Sequence, residues 1–372
     1  MARIFLTDRA IDFLTEYSRF NQENIRRNNR KRPFLYMLSI PDPHPAYSVR
    51  YPYNETYDDT LLSSSVKYEA PPNYDQAIAS SSGKKFSPRL LSQYLGMVDC
   101  LDYNIGRIIT TLRQENLLET TLIIFTSDHG DLLFEHGRIG KMKHFDMSVR
   151  IPFIVRIPAS LQAMMSQQKQ TAASLPSTAS SSASNKAKTP FLRPGSVVKK
   201  PFATVDFKAT LLGLLGVLHA NDNGSDDETL GSNHGIDVSS YFQVKVDDDD
   251  DKGDPSFDQM ITSSSGFDAS NVVFCSLKTQ YDLDSFIGAF DQRYKLTIFK
   301  PKKDGEVQFI LFDLQEDPLE LMNYYNNSSY CGEIRRLALA LQTHIQDRVI
   351  NSDVRKYAIP GIAKILQECD GK

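Results

Sequence analysis

Cysteine is scarce in this sequence of 372 residues, which contains four cysteines. No two of them have the spacing of a metal site, and a chain of this length can bury a core without disulfide bonds. The sequence alone does not decide whether Cys331 and Cys369 are bridged. An excess of charge is also lacking, since the formal net charge is −4. This balance gives no electrostatic case for nucleic acid as a partner.

Long apolar runs are lacking as well. The most apolar stretch, residues 211–218, is interrupted by glycine. It is far shorter than the roughly 20 residues that cross a bilayer, so we expect no transmembrane segment. Residues 1–9 have no apolar signal-peptide core. The sequence therefore leaves localisation undetermined, and a secretory or lysosomal location stays open for a longer version of the chain.

Short apolar runs separated by a long helix predict an α/β fold. Residues 33–40, 120–127 and 151–158 are typical of strands buried on both faces, and residues 90–117 carry apolar side chains at helical spacing. A strand, a long helix and a strand in this order are typical of a parallel sheet. We therefore predict a mostly parallel central sheet flanked by helices, preceded by an amphipathic helix over residues 10–20.

The rest of the chain has a different pattern of apolar and polar residues. Residues 159–187 and 221–255 are rich in small polar or acidic residues, and we predict that they are disordered insertions in a first domain of residues 1–267. Residues 268–372 contain short apolar runs with turn signals between them, followed by a helical pattern near residues 333–349. They predict a carboxy-terminal subdomain in which one helix covers a small antiparallel sheet.

A carboxylate and an imidazole stand side by side where the second apolar run ends. Asp128 and His129 can both turn toward one divalent cation, and Gly130 lets the backbone turn sharply away after them. The alternative is a strand-end turn in which the aspartate caps the following segment and the histidine is ordinary polar surface. The pair is therefore a candidate metal site.

Lys141 and His44 are candidates for contact with a substrate. Lys141 lies in a glycine-containing loop, where its ammonium group could stabilise negative charge on a sulfuryl or phosphoryl oxygen. His44 has a proline on each side, which keeps its backbone stiff, and it could protonate a leaving alkoxide. The alternatives are an exposed lysine and a histidine in a rigid surface turn. Three neighbours could be confused with these candidates: Lys143, His144 and His136.

Taken together, these segments resemble the sulfatase family of the alkaline phosphatase superfamily. The Asp-His pair is similar to the branch that contains choline-sulfatase-like enzymes and phosphonate monoester hydrolases. The resemblance covers most of the chain outside the insertions and implies an alkaline-phosphatase-like fold. The matching stretches, in the order of the family, are residues 7–14, 32–36, 43–45, 97–107, 125–131, 135–137, 140–141, 150–154, 203–212, 294–296 and 312–320.

The resemblance implies a hydrolase of sulfuric esters that depends on a divalent metal. Asp128 and His129 would supply one half of the metal site, for which Ca²⁺ is the first expectation and Mn²⁺ and Mg²⁺ are the alternatives. Lys141 and His44 would contact the substrate, a small-molecule or carbohydrate sulfate ester. A phosphonate monoester or phosphodiester hydrolase of the same superfamily is the alternative function.

Two parts of the family's pattern are missing from the sequence. Family members carry a Cys-x-Pro-x-Arg or Ser-x-Pro-x-Arg segment whose first residue becomes the formylglycine nucleophile, and this sequence contains no such segment. The paired aspartates that complete the family's metal site are missing too. We therefore expect the chain to begin past the nucleophile and to be inactive on its own. A truncated paralogue that acts as a binding protein is the remaining alternative.

Overall fold

A computed structural model describes residues 2–57, 85–161, 195–198, 201–215, 239, 272–277, 284–301, 306–347 and 352–370. The chain forms two compact units. Residues 1–140 and 151–163 make up the first unit, and residues 141–150 and 164–372 make up the second. Apart from residues 159–161 and 239, the two predicted insertions lie outside the described residues. The domain boundary near residue 268 stays a prediction.

The first unit contains two long helices and a two-stranded sheet. Helix α1 spans Ala2–Arg26 and helix α2 spans Pro88–Gln114. A 3₁₀ turn at Leu118–Thr120 leads into strand β1, Ile123–Thr126, and strand β2 follows at Phe153–Arg156. Both predicted helices of this part of the chain are confirmed, and two of the three predicted apolar runs each contain a strand.

Helices α1 and α2 are joined by an apolar cluster and an ion pair. Arg107 on α2 donates to the carboxylate of Asp8 on α1 at 2.6 Å. The start of α2 is set by Ser87, whose hydroxyl oxygen accepts the Leu90 N–H at 3.2 Å, as an N-cap serine does. These contacts fix the direction in which α2 leads to β1. The buried members of the cluster are Leu14, Leu112 and Leu118.

Strands β1 and β2 pair antiparallel, with Ile123 opposite Arg156 and Thr126 opposite Phe153. The parallel pairing predicted for these two runs is therefore wrong. Parallel neighbours need a crossover connection, usually a long helix. The helical segments between β1 and β2 are a 3₁₀ turn of 3 residues and a helix of 4 residues, so the chain returns beside β1 without such a crossover.

Residues 33–40, the third predicted strand, are not paired with any strand in the described part of the chain. The rings of Phe34 and Tyr36 lie 5.7 and 4.7 Å from the ring of Phe13 on α1. Leu35 and Met37, by contrast, are 84% and 88% exposed. The side chains thus alternate as in a strand with one covered face, but a strand also needs a hydrogen-bonded neighbour.

The second unit is built around a four-stranded antiparallel sheet in the order β3-β4-β5-β6. It also contains two short helices, α3 at Asp146–Val149 and α4 at Phe207–Leu214. The predicted antiparallel sheet is confirmed. The strands are β3 at Val273–Leu277, β4 at Ser285–Phe290, β5 at Tyr294–Lys300 and β6 at Gln308–Asp313.

Two helices, rather than the single predicted one, pack on this sheet: α5 at Cys331–Asp347 and α6 at Ser352–Asp370. Pro360 and Gly361 interrupt the apolar pattern of α6, so the sequence does not predict this helix. A Cβ at Gly361 would lie 3.2 Å from side-chain atoms of Ile298 and Phe309, so the glycine lets α6 approach the sheet closely. The core includes Ile287, Leu296, Ile298, Leu337, Leu341 and Ile365.

The four cysteine thiols are free. The bridge between Cys331 and Cys369 that the sequence left open is therefore not formed. Burial raises the pKa of the Cys275 thiol to about 11, so this group is a thiol and not a thiolate at neutral pH. Within the described residues, no helix combines the length and the hydropathy that a membrane span requires.

A buried ammonium group ties α3 to the sheet of the second unit. Lys295 on β5 is 1% exposed, and its Nζ pairs with Asp146 Oδ1 at 2.5 Å and with the carboxylate of Glu320. Glu320 Oε2 also accepts the backbone N–H of Asp146 at 2.7 Å. Because an unpaired buried charge costs several kcal/mol, these groups hold each other in place. They also hold residues 141–150, the segment that contains Asp146.

Replacing this lysine tests the contact. We expect Lys295→Met to lower the free energy of unfolding by about 3 kcal/mol or more, because it leaves the buried carboxylate of Glu320 without its cation. Urea unfolding followed by circular dichroism measures the loss, since the sequence has no tryptophan to report it. The matched control is Lys356→Met, which removes a 75% exposed ammonium group, and it should cost less than about 1 kcal/mol. Equal losses in both variants would contradict the assignment.

The pH dependence of stability gives a second test. Burial raises the pKa of the Glu320 carboxyl, although the nearby ammonium group of Lys295 opposes the rise. Because the pKa is higher in the folded than in the unfolded chain, the contribution of Glu320 to stability is present below its ordinary pKa. That contribution is lost as the pH rises through the raised value.

We therefore expect the unfolding free energy of the wild type, relative to that of Glu320→Gln, to increase as the pH is lowered through this window. Urea unfolding of both proteins at a series of pH values measures the difference. A difference that stays constant or decreases on acidification would show that the pKa of Glu320 is not raised.

Candidate functional site

Asp128 and His129 form a turn directly after β1. Asp128 Oδ1 accepts the backbone N–H of His129 at 2.9 Å, and the Ser127 hydroxyl donates to the His129 carbonyl at 2.8 Å. The Nδ1 atom of His129 lies 2.8 Å from the carbonyl oxygen of Gly130. Since a carbonyl oxygen can only accept, Nδ1 carries the proton, and Nε2 keeps its lone pair when the imidazole is neutral. The turn thus leaves two ligand atoms, Asp128 Oδ2 and His129 Nε2.

These two atoms fit one divalent cation. They lie 3.4 Å apart. This separation is compatible with two ligands of one divalent cation, which Asp128 and His129 would hold together. Partial burial acts to raise the pKa of the Asp128 carboxyl. The nearby His129 and the hydrogen bonds to the Asp128 oxygens outweigh this effect, so the pKa is lowered overall. The group is therefore a carboxylate at neutral pH. The described residues contain no cluster of three or more potential metal ligands, so this pair accounts for only part of a coordination sphere.

Asp131, for which the sequence predicts no role, holds the loop that follows the pair. Its Oδ1 accepts the backbone N–H groups of Leu133 and Gly140, each at 3.0 Å. Its Oδ2 accepts the hydroxyl of Tyr47 at 2.8 Å. An aspartate two residues after a candidate ligand is a weak signal in a sequence, because nothing there shows that Tyr47 is its partner.

The loop from Asp131 to Gly140 is strained and closely fixed. Leu133, Phe134 and His136 have positive φ angles of 39°, 77° and 51°, which are uncommon for residues with large side chains. The ring of Phe134 is buried and meets Phe86 edge-on at 5.1 Å. Two backbone hydrogen bonds close the loop, from Leu132 N to Gly140 O at 2.7 Å and from Phe134 N to Arg138 O at 2.6 Å. Such strain persists only where the surroundings enforce it.

His44 lies in an exposed turn of the first unit. Its backbone N–H donates to the Pro41 carbonyl at 2.9 Å, and its Nδ1 lies 2.7 Å from the Pro45 carbonyl. As at His129, this contact leaves Nε2 as the atom that can meet a ligand. Three residues further on, Tyr47 binds Asp131. The turn that carries His44 is therefore linked to the segment that follows Asp128 and His129.

Lys141 is the first residue of the second unit and is partly exposed. Among the described residues, no carboxylate forms an ion pair with its ammonium group. The neighbours that could be confused with it have other contacts. The ammonium group of Lys143 pairs with Asp284, and His144 is buried, with its ring near those of Phe299 and Phe312. His136 is buried as well. Of Lys141 and these three neighbours, Lys141 is thus the one best placed to meet an anionic ligand.

Comparison with known proteins supports the resemblance read from the sequence. The sulfatase family model matches residues 5–217, more than half of the chain. A choline-sulfatase of Rhizobium meliloti is 28% identical over 162 residues, which are 41% of this chain and 32% of that protein. Arylsulfatase K of the dog is 30% identical over 173 residues, 41% of this chain and 31% of that protein. The chain thus matches about a third of the length of these curated relatives.

Solved structures show the fold. The sulfatase-like protein yidJ of Bacteroides fragilis has a TM-score of 0.58 at 21% identity, covering 91% of this chain and 58% of its own. A phosphonate monoester hydrolase of Agrobacterium radiobacter has a TM-score of 0.53 at 19% identity, covering 89% of this chain and 60% of its own. The predicted alkaline-phosphatase-like fold class is confirmed, with the local differences in strand pairing described above.

Removing one ligand of the candidate pair tests the metal site. We expect Asp128→Ala to abolish the binding of Ca²⁺ or Mn²⁺, because a single imidazole is a weak site for a hard cation. Isothermal titration calorimetry with each metal measures the affinity. The control is Asp102→Ala, which removes an exposed carboxylate of α2 and should leave metal binding unchanged. Undiminished binding by Asp128→Ala would remove this residue from the site.

Proposed function

The chain belongs to the sulfatase family, and from this we propose that the protein is a metal-dependent hydrolase of sulfuric esters. One observation carries the proposal. Asp128 Oδ2 and His129 Nε2 face each other 3.4 Å apart at the end of β1, as two ligands of one cation would. Sulfatases generally use a divalent metal, and for this chain we propose Ca²⁺ first, with Mn²⁺ and Mg²⁺ as alternatives. A cation bound there would polarise a sulfuryl oxygen of the ester.

Lys141 is proposed to bind the ester through charge. Its ammonium group would approach an oxygen of the sulfuryl group and stabilise the negative charge that develops on it. The contacts of its neighbours support this choice, because the ammonium group of Lys143 is already paired with Asp284. The proposed ligand is a small-molecule or carbohydrate sulfate ester.

His44 is proposed to act on the leaving group. The contact between its Nδ1 and the Pro45 carbonyl directs Nε2 outward, and the ring is exposed to solvent. A protonated Nε2 could donate a hydrogen bond, or a proton, to the departing alkoxide oxygen. The prolines on both sides limit the backbone motion that would misplace the ring.

The formylglycine nucleophile of the family has no counterpart among the residues of this sequence. No Cys-x-Pro-x-Arg or Ser-x-Pro-x-Arg segment occurs in it, so no residue is assigned to the attack on sulfur. The proposal for this chain therefore concerns metal binding, ester binding and departure of the leaving group, and binding is the property to measure.

Hydrolysis of phosphonate monoesters is the second candidate function. The phosphonate monoester hydrolase of Agrobacterium radiobacter has a similar fold, and the Asp-His pair is compatible with either ester. Calorimetric titration with inorganic sulfate and with methylphosphonate, each in the presence of Mn²⁺, separates the two functions. Tighter binding of sulfate supports the first proposal, and tighter binding of methylphosphonate favours the second.

Lys141→Ala tests the assigned ligand contact. We expect the affinity for inorganic sulfate in the presence of Mn²⁺ to fall about tenfold or more, because a charge-assisted contact of about 1.5–3 kcal/mol is lost. The unfolding free energy should change by less than about 0.5 kcal/mol, as for other partly exposed side chains. The control Lys356→Ala should alter neither sulfate affinity nor Mn²⁺ affinity. A loss of stability as large as the loss of affinity would contradict the role of Lys141.

A further inference from the structure

Three hydrogen bonds from separate parts of the first unit converge on the carboxylate of Asp131. The hydroxyl of Tyr47 donates to Oδ2 at 2.8 Å. The backbone N–H groups of Leu133 and Gly140 donate to Oδ1, each at 3.0 Å. Each oxygen thus accepts at least one hydrogen bond from a donor of this chain.

Each of these contacts lies close in sequence to a residue that we assign to the site. Asp131 itself is two residues after His129, and Tyr47 is three residues after His44. Gly140 directly precedes Lys141. The Asp131 carboxylate therefore fixes the backbone at three places. These lie close in sequence to His129, to His44 and to Lys141.

The contact to Tyr47 is the one that joins distant segments, because the two residues are 84 positions apart. The ring of Tyr47 is partly buried and meets the ring of Tyr94 on α2 at 6.0 Å, edge-on. Burial raises the pKa of the Tyr47 phenol, and the hydrogen bond to Asp131 adds to the rise. The phenol therefore keeps its proton, and the Tyr47 hydroxyl stays a donor to the carboxylate, throughout the neutral range.

We propose that Asp131 is a positioning residue that, through the hydroxyl of Tyr47, ties the His44 turn to the segment that follows the Asp128–His129 pair. The structure shows the hydrogen bond between Tyr47 and Asp131. Its consequence for ligand binding rests on the proposed function. Asp131 does not meet the ester or the metal itself. Its effect on binding is exerted through His44.

Tyr47→Phe tests the link, because it removes one hydroxyl and keeps the ring. The backbone amide of His44, which donates to Pro41 O, is a local reporter of the turn. We expect its hydrogen exchange to become about tenfold faster in this variant, since the turn loses one partly buried hydrogen bond. The matched control is Tyr94→Phe, the same change on the adjoining ring. Unchanged exchange in Tyr47→Phe, or equal acceleration in Tyr94→Phe, would overturn the proposal.

Asp131→Asn tests whether the two residues act through one bond. The amide oxygen can still accept the N–H groups of Leu133 and Gly140, but the amide nitrogen cannot accept the Tyr47 hydroxyl. Exchange at His44 in the double variant Asp131→Asn/Tyr47→Phe should be no faster than in the faster single variant. Effects that multiply in the double variant would show that the two residues act separately.

Ligand affinity distinguishes positioning from a merely structural role. In the presence of Mn²⁺, Tyr47→Phe should bind phenyl sulfate, an ester that carries the leaving-group oxygen, several-fold more weakly than the wild type while its Mn²⁺ affinity is unchanged. Equal affinity for phenyl sulfate in the two proteins would overturn the positioning role even if exchange at His44 is faster. Failure of the wild type to bind phenyl sulfate would instead count against the proposed function, so the two failures are distinguishable.

Discussion

A charged group that leaves water must meet a partner, and this requirement sets the conformation of both units of the protein. In the second unit, the buried ammonium group of Lys295 meets Asp146 and Glu320, and it thereby holds α3. In the first unit, the carboxylate of Asp131 meets a phenol and two backbone N–H groups. These contacts anchor the segments that carry the candidate site residues, although His44 and Asp128 are themselves exposed.

Local patterns in the sequence predicted what depends on neighbouring residues. The apolar runs led to β1 and β2, helical spacing led to α1 and α2, and the turn signals led to the antiparallel sheet. Asp128 and His129 are adjacent in the sequence, and one turn suffices to direct both side chains to the same side. Their role as metal ligands stays a prediction. In each case, the information lies within a few residues of the element that it determines.

Contacts between distant residues account for what the sequence did not predict. Nothing in the sequence joins Tyr47 to Asp131, which lie 84 positions apart, or Lys295 to Asp146, which lie 149 positions apart. The antiparallel pairing of β1 with β2 depends on how the long connection between them returns, which periodicity does not encode. The sequence does not predict helix α6, because only the contact between Gly361 and the sheet shows that this glycine allows close packing. The sequence does not distinguish a glycine that ends a helix from a glycine that lets a helix pack closely on a sheet.

The same contacts explain why the sulfatase resemblance extends to stretches far from the candidate site. Residues 294–296 and 312–320 contain Lys295 and Glu320, and these two residues hold Asp146, five positions after Lys141. Lys143 lies between Lys141 and Asp146 in the sequence, and its ammonium group pairs with Asp284. Helix α3 begins at Asp146. The segment that carries Lys141 is therefore fixed by the carboxy-terminal sheet, although it lies between β1 and β2 in the sequence. The position of the proposed ester-binding lysine thus depends on that sheet.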